Sequence, residues 1–274
     1  LPEGWVALPD KRVVALGRDP NFPAWPDTLQ LNYFNPKLRL AMLTELRSLS
    51  RLCDGVRCDM AMLIEPEVFR KTWESRAPHC VQGFSSVWPE YIAVVREANP
   101  SFLFLAEVYW GYEHTLQKHG FDFTYDKTLY DRLLARDGRG VRSHLAAEPS
   151  YQEKMARFLE NHDERRIASC LSHDEHLAAL VCTYFGAGMR FFQDGQLEGR
   201  RLRVPVHLQR APLEKPSIEV SAMYDLLLPI IQSPVNKYGT WHLLDTREAW
   251  PTNFTHCNFI SYLIEHPLET LLIA

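Results

Sequence analysis

Residues 53–62 have the sequence Cys53-Asp54-Gly55-Val56-Arg57-Cys58-Asp59-Met60-Ala61-Met62, which predicts a short buried strand. The apolar residues Val56, Cys58 and Met60 are separated by single residues, and this is the period of a β-strand. Arg57 and Asp59 are two positions apart, so they point to the same face of the strand. Two charges in an apolar strand are costly unless they are paired or lie at the strand end. The rest of the chain must therefore supply partners for both.

The composition narrows the class of protein. The chain has 274 residues, of which 46% are hydrophobic and 23% are charged, and this composition is typical of a globular protein with a large core. The formal net charge of −4 gives no basic field and disfavours nucleic acid as a partner. No run of about 18 apolar residues is present, so the sequence predicts neither a membrane-spanning helix nor a membrane partner.

The cysteines indicate the compartment. Six cysteines are scattered without a C-x-x-C pair, which predicts free thiols and favours a reducing environment. No signal-peptide pattern precedes the first strand, and together these features favour the cytoplasm. The chain begins at Leu1 rather than at methionine, and we expect that its true N-terminus is missing.

Strand and helix patterns alternate along most of the chain. Five strands are predicted near residues 57, 104, 122, 158 and 191, and amphipathic helical patterns separate them. The first clear helix is capped by Asn35 and begins at Pro36. Repeated β-α units predict a parallel sheet with helices outside it. Residues 242–274 instead contain strand patterns of a second, smaller module.

Acidic residues follow the predicted strands. Asp59, Glu107 and Asp163 each lie at the C-terminal end of a different strand, where functional residues gather in such folds. A closed sheet would bring these three carboxylates together. Two carboxylates about 5–5.5 Å apart suit a retaining glycosidase, in which one attacks the anomeric carbon and the other protonates the leaving oxygen. A third could stabilise the oxocarbenium-like transition state.

The acidic residues and the histidines near them also fit two alternative hypotheses. Each acid taken alone is explained as the cap of a strand or of a helix. The segments 162–164 and 173–176 are rich in histidine and carboxylate, the ligands of a metal-dependent hydrolase. Neither segment contains H-E-x-x-H, and the second is typical of a helix start that is exposed to water. The sequence therefore assigns no metal ligand.

Three segments together resemble a known family. Their order along the chain resembles the conserved regions of glycoside hydrolase family 13, the α-amylase family, and the resemblance extends over about residues 25–265. The segment at 191–199 is similar to the one that closes the eighth barrel strand of that family. The three segments are Asp54-Gly55-Val56-Arg57-Cys58-Asp59, Phe104-Leu105-Ala106-Glu107 and Phe158-Leu159-Glu160-Asn161-His162-Asp163.

The resemblance implies a (β/α)8 barrel that acts on α-glucosidic bonds of α-glucans and maltooligosaccharides by double displacement with retention. By matching position, Asp59 is implied to be the nucleophile, Glu107 the general acid/base and Asp163 the transition-state stabiliser. Arg57 is implied to hold Asp59, and His162 to bind sugar hydroxyls. The chemistry is implied to need no cofactor, although structural calcium is common in the family and the sequence does not assign its ligands.

The resemblance also implies that the chain is incomplete. Nothing in residues 1–52 matches the family motif of the third barrel strand. We expect residues 1–34 to be the remnant of an inserted loop domain, 35–240 a partial barrel with about the last five β-α units, and 241–274 the start of a C-terminal β domain. An α-glucan transglycosylase with the same residues and a non-catalytic carbohydrate-binding or scaffold fragment are the alternatives.

Overall fold

The computed structural model describes residues 1–206, 208 and 210–274. The chain divides into two compact units, unit 1 with residues 1–124 and unit 2 with residues 125–274. The domain boundaries expected from the sequence, at 34/35 and 240/241, stay a prediction.

Unit 1 begins with a hairpin and a capped helix. Strands β1 (Trp5–Ala7) and β2 (Val13–Ala15) pair antiparallel. Helix α1 (Pro36–Leu49) begins where the sequence predicts, because the Asn35 side chain accepts a hydrogen bond from the Lys37 amide and proline occupies the first helical position.

The parallel strands of unit 1 are joined by helices. Strand β3 (Gly55–Cys58) is followed by a 3₁₀ turn (Ala61–Ile64), helix α2 (Pro66–Trp73), a second 3₁₀ turn (Pro78–Cys80) and helix α3 (Trp88–Ala98). Strand β4 (Leu103–Ala106), helix α4 (Glu113–Lys118) and strand β5 (Phe123–Tyr125) complete the series. The register pairs Gly55 with Leu103 and Leu105 with Phe123, both in parallel.

The core of unit 1 lies between strand β4 and the helices that cover it. Phe104 of β4 and Val95 of α3 are fully buried in one cluster, which also contains Phe121 and Met62. A second cluster around Phe34 and Phe69 contains edge-to-face aromatic pairs. Helices α1, α3 and α4 thus contribute apolar side chains to the core around β4, and α2 contributes to the second cluster.

Unit 2 continues the same alternation and ends in a separate sheet. Strand β6 (Met155–Arg157) pairs in parallel with β7 (Met189–Arg190). Strands β8 (Thr240–Leu244), β9 (Ser261–His266) and β10 (Glu269–Ile273) form an antiparallel sheet of order β10-β9-β8. A 3₁₀ turn (Phe254–Asn258) precedes β9. The helices are α5 (Lys127–Leu134), α6 (Gly138–Leu145), α7 (Pro149–Gln152), α8 (Ile167–Cys170), α9 (His173–Tyr184), α10 (Ile218–Ile231) and α11 (Pro234–Tyr238).

The predicted fold class is confirmed. The five parallel strands have the order β3-β4-β5-β6-β7, with the unit boundary inside β5, and an antiparallel sheet follows at the C-terminal end. This is the arrangement of a partial (β/α)8 barrel followed by β-structure. All six cysteines are free thiols, as predicted. Within the described part of the chain, no helix is both long enough and apolar enough to cross a membrane.

Candidate active site

Arg57 connects two of the predicted catalytic carboxylates. Its Nη1 lies 3.1 Å from Oδ2 of Asp59, and its Nη2 lies 2.8 Å from Oε2 of Glu107. Arg57 projects from β3 and Glu107 follows β4, so the parallel pairing of these strands places the three side chains together. Arg57 and Asp59 therefore have partners, as their position on one strand face requires.

The structure explains why β3 is shorter than predicted. The strand ends at Cys58 because Met60 has a left-handed backbone conformation with φ of 43°, and this turns the chain. The Glu107 amide donates to the Cys58 carbonyl over 3.0 Å, and the Ala61 amide donates to the Glu107 carbonyl over 2.9 Å. Asp59 therefore stands at the turn, just beyond the last residue of the strand.

Glu107 is nearly enclosed. Only 4% of its side chain is exposed, whereas 75% of the Asp59 side chain is exposed. The Met60 amide donates to Oε2 of Glu107 over 2.8 Å, and the Tyr109 hydroxyl donates to Oε1 over 2.8 Å. Burial raises the pKa of Glu107, and these two donors and the Arg57 guanidinium oppose the rise without cancelling it. The pair thus contains an acid that tends to keep its proton and an accessible carboxylate.

His162 and Asp163 lie next to each other in unit 2. The Nε2 atom of His162 is 2.9 Å from Oδ2 of Asp163, and both side chains are substantially exposed. Oδ1 of the buried Asn161 accepts hydrogen bonds from the amides of Asp163 and Glu164 at 2.9 and 3.0 Å, and this holds the loop after β6. The strand predicted near residue 158 is β6, which already ends at Arg157, so His162 and Asp163 occupy the loop after it.

The structure thus brings the predicted site residues together in two groups. Arg57, Asp59 and Glu107 are in contact within unit 1, and His162 and Asp163 are in contact within unit 2. The convergence of all three carboxylates and the individual roles stay predictions.

Two residues that lie near these groups in the chain are not predicted from the sequence to have a role. Tyr109 is one of them, and its hydroxyl donates to Glu107. The signal in the sequence is its position two residues after Glu107. Glu160 is fully buried, and its Oε2 accepts from the Ile167 amide over 2.6 Å. Burial raises the pKa of Glu160 to about 7, against the effects of that amide and of Arg166, whose Nη2 is 3.5 Å from Oε1. The signal for Glu160 in the sequence is a carboxylate that directly follows the apolar residues 158–159.

The histidine-rich segments do not assemble a metal site. Among the described residues, no group of three or more His, Cys, Asp or Glu side chains is placed to hold a metal ion. The start of α9 was expected to be exposed to water, and this is wrong for His176, which is buried with its Nε2 3.0 Å from the Tyr224 hydroxyl. Burial lowers the pKa of His176 to about 4, because the helix packs this side chain into the core.

Comparison with solved structures identifies the fold. An alpha-amylase from Lactobacillus plantarum has a TM-score of 0.68 and 22% identity, and the match covers 99% of this chain and 62% of that one. A maltogenic alpha-amylase from Thermotoga neapolitana has a TM-score of 0.64 and 19% identity, with coverage of 94% and 58%. An alpha-amylase from Geobacillus thermoleovorans complexed with acarbose has a TM-score of 0.65 and 17% identity, with coverage of 90% and 54%. No protein-family model matches the chain, and no curated protein matches it.

These comparisons establish a likeness of fold. The chain has the fold of part of the α-amylase structures, and its predicted resemblance to the α-amylase family is confirmed at that level. It spans about 62% of the length of the Lactobacillus plantarum structure.

Proposed function

We propose that this chain carries catalytic residues of a retaining glycoside hydrolase that acts on α-glucosidic bonds of α-glucans and maltooligosaccharides. The observation that carries the proposal is the Arg57 guanidinium, which holds Asp59 and Glu107 side by side. Two carboxylates on neighbouring nitrogens of one guanidinium favour the short separation of retaining enzymes over the wider gap of inverting ones. The fold shared with α-amylases supports the same class of reaction.

In the first proposed step, a carboxylate oxygen of Asp59 attacks the anomeric carbon and the bond to the leaving oxygen breaks. Glu107 donates its proton to that oxygen, so the leaving sugar departs as an alcohol. The burial that raises the pKa of Glu107 suits this role, because a general acid must hold its proton near neutral pH. The exposure of Asp59 suits a nucleophile, because the sugar must reach its oxygen.

In the second proposed step, ionised Glu107 takes a proton from water, and the oxygen of that water attacks the anomeric carbon. The bond to Asp59 breaks, and the configuration of the sugar is retained after two inversions. Arg57 keeps the Asp59 carboxylate oriented and stabilises its negative charge before attack and after release. The proposal also assigns transition-state stabilisation to Asp163 and hydroxyl binding to His162, as the family resemblance implies.

The proposed partner is an oligosaccharide or a polysaccharide. The Geobacillus thermoleovorans alpha-amylase of similar fold was solved in complex with acarbose, which supports a ligand of this class. The proposed chemistry uses carboxylates and water alone, so no cofactor takes part in it. The described side chains do not assemble a site for a metal, and no step is assigned to one.

The test is the exchange of Asp59 for asparagine, with Asp54→Asn as the matched control five positions earlier in the same stretch. Both side chains are exposed, and Asp59 contacts Arg57. D59N is expected to lower the release of reducing sugar from maltooligosaccharides by at least about a thousandfold, because the nucleophile is lost. D54N is expected to keep the activity, and the released sugar is expected to retain its anomeric configuration by NMR.

The same assay separates the alternatives. Unchanged turnover in D59N would contradict the proposal. Oligosaccharides longer than the substrate would identify a transglycosylase with the same residues, whereas saturable binding without turnover would favour a carbohydrate-binding or scaffold role. Loss of the activity with a chelator would favour a metal-dependent hydrolase.

A further inference from the structure

A histidine and a cysteine lie side by side in the connection between β8 and β9 of unit 2. The Sγ atom of Cys257 is 3.5 Å from Nε2 of His256, so the thiol is placed to donate a hydrogen bond to the ring. Both residues belong to the 3₁₀ turn at Phe254–Asn258, and both are partly exposed. A thiol beside an imidazole is the combination from which enzymes build a sulfur nucleophile and its base.

The second nitrogen of the His256 ring determines how the pair works. Nδ1 is 3.0 Å from the Asn253 carbonyl oxygen, which accepts hydrogen bonds and does not donate them. Nδ1 therefore carries the proton of the neutral ring, and Nε2 is left as an acceptor that faces Cys257. Asn253 is itself held, because its side chain accepts from the Thr255 amide and hydroxyl at 3.0 and 2.6 Å. The turn thus presents a base in the correct tautomer to the thiol.

The other cysteines differ from Cys257 in their surroundings. Burial raises the pKa of Cys58 to about 12 and that of Cys182 to about 11, so both thiols are unreactive in the folded chain. Cys53 is exposed, but its Sγ lies 3.3 Å from the Leu49 carbonyl oxygen, which is not a base. Within the described part of the chain, Cys257 alone has a histidine nitrogen within hydrogen-bonding distance of its sulfur.

A pocket of about 260 Å³ lies against the same histidine. Arg247 lines it from the loop after β8, His256 from the turn and Ser261 from the start of β9. Among the described residues, Arg247 has no ion-pair partner, so its guanidinium group is available to an anion. A carboxylate is an anion that this planar fork binds with two parallel hydrogen bonds, and the hydroxyls of Thr246 and Ser261 add further donors.

We propose that Cys257 is a covalent modification site, at which a small disulfide that carries carboxylates forms a mixed disulfide with the chain. Nε2 of His256 takes the thiol proton while Sγ attacks one sulfur of the small disulfide. A new S–S bond forms, the original S–S bond breaks, and the second half leaves as a thiolate that recovers the proton from His256. Cys257 is oxidised and the departing thiol is reduced, so no other reactant takes part.

The pocket supplies the selectivity of this site. Arg247 binds a carboxylate of the small disulfide, which keeps the reagent beside the pair while the sulfur reacts. The site uses none of the residues of the proposed hydrolase chemistry, so its test is independent of that activity.

The experiment measures the rate of modification at each of the six cysteines. The full chain is incubated with glutathione disulfide, and the products are digested and quantified by mass spectrometry. H256N removes the base, while its amide keeps a donor for the Asn253 carbonyl. R247Q removes the cation, and R203Q is its control, because Arg203 is exposed and does not line the pocket. Cystamine, a disulfide without carboxylates, is the second reagent.

Cys257 is expected to react at least about tenfold faster than any other cysteine of the folded chain. H256N is expected to slow its reaction by at least about tenfold, because the general base is lost. R247Q is expected to slow the reaction with glutathione disulfide about two- to fivefold, which is the contribution of an exposed ion pair, and to leave the reaction with cystamine unchanged. R203Q is expected to match the parent chain with both reagents.

A Cys53 thiol that reacts as fast as Cys257 would overturn the proposal, and so would an unchanged rate in H256N. An equal effect of R247Q on both reagents would overturn the carboxylate-bearing ligand. The buried Cys58 and Cys182 report on folding in each variant, because they react only when the chain opens. The comparison of Cys257 with Cys53 is made in the parent chain, so it tests the proposal without any variant.

Discussion

At the scale of single residues, Asp59 and Glu107 have the same functional group and contact the same guanidinium, but they differ in exposure. Asp59 is 75% exposed at the side chain and Glu107 is 4% exposed. Burial favours the neutral form of a carboxyl group, so Glu107 is suited to donate a proton. The accessible Asp59 is suited to attack. The environment of each group, rather than its identity, distinguishes the two proposed roles.

Tyr109 offers a direct test of the acid. Its hydroxyl donates to Glu107 and thereby lowers the pKa of that carboxyl, against the larger effect of burial. Tyr109→Phe removes a donor to the ionised form, so the pKa of Glu107 is expected to rise further. The general acid then stays protonated to higher pH, and the alkaline limb of the kcat/KM profile is expected to move upward.

The control for this variant is Tyr238→Phe, because Tyr238 is an exposed tyrosine of unit 2. Its pH profile is expected to coincide with that of the parent chain. A downward movement of the alkaline limb in Y109F would show that Glu107 is not the acid that this limb reports.

At the scale of elements, the helix starts and the order of strands were predictable because local signals specify them. Asn35 caps α1, and Ser172 forms a capping box with Glu175 at the start of α9. The strand ends were less predictable. The end of β3 depends on the turn at Met60 and on hydrogen bonds with Glu107, which is more than 40 residues away in the chain.

Gly55 is a position where the neighbouring strand leaves no room for a side chain. A Cβ atom at Gly55 would lie 2.7 Å from the Leu103 carbonyl oxygen, whereas a Cβ at Gly83 would meet nothing within 4 Å. Gly55→Ala is therefore expected to lower the free energy of unfolding by about 1–3 kcal/mol, because β3 and β4 must move apart. Gly83→Ala is the control, and it is expected to change that free energy by less than about 0.5 kcal/mol.

Urea denaturation followed by circular dichroism measures both glycine variants. Equal stability of G55A and the parent chain would contradict the close pairing of Gly55 with Leu103. Because Arg57 follows on the same strand, G55A is also expected to reduce the activity more than G83A does.

At the scale of the whole molecule, charged groups in the core of unit 2 were not foreseen from the sequence. Arg157 and Asp126 are both fully buried and form an ion pair, and Nε of Arg157 donates to the Ala187 carbonyl over 2.8 Å. Burial alone would raise the pKa of Asp126, but Arg157 and His144 lower it below its usual value. A pattern of polar and apolar residues cannot reveal such a pair, because both members come from segments that look like ordinary strand and turn.

Glu160 makes the stability of the chain depend on pH. Its pKa is about 7 in the folded state and about 4.3 in an unfolded chain. The folded state therefore binds the Glu160 proton more tightly than the unfolded state does, and this difference stabilises the fold. The stabilisation is complete below about pH 4 and is lost as the pH rises through 7. The loss is on the order of 3 kcal/mol, from the difference between the two pKa values.

Glu160→Gln removes this titration. The free energy of unfolding of E160Q relative to the parent chain is expected to increase as the pH rises from about 4.5 to about 8. Glu153→Gln, at an exposed position directly after α7, is the control and is expected to show no such change. A relative stability of E160Q that falls with pH would contradict the raised pKa. Urea titrations at a series of pH values provide the measurement.

The sequence by itself determined the α/β class, the order of the strands, the start of α1 and the positions of Asp59 and Glu107 directly after strands. These features follow from periodicity, capping and short motifs, which are local properties of the chain. Only the tertiary structure decided that Arg57 bridges Asp59 and Glu107, that Glu107 is enclosed while Asp59 is exposed, and that Arg247 and His256 line one pocket. Burial and interatomic distances depend on packing between segments that are far apart in sequence. This packing sets the pKa of Glu107 and the access of the sugar to Asp59, on which the proposed chemistry depends.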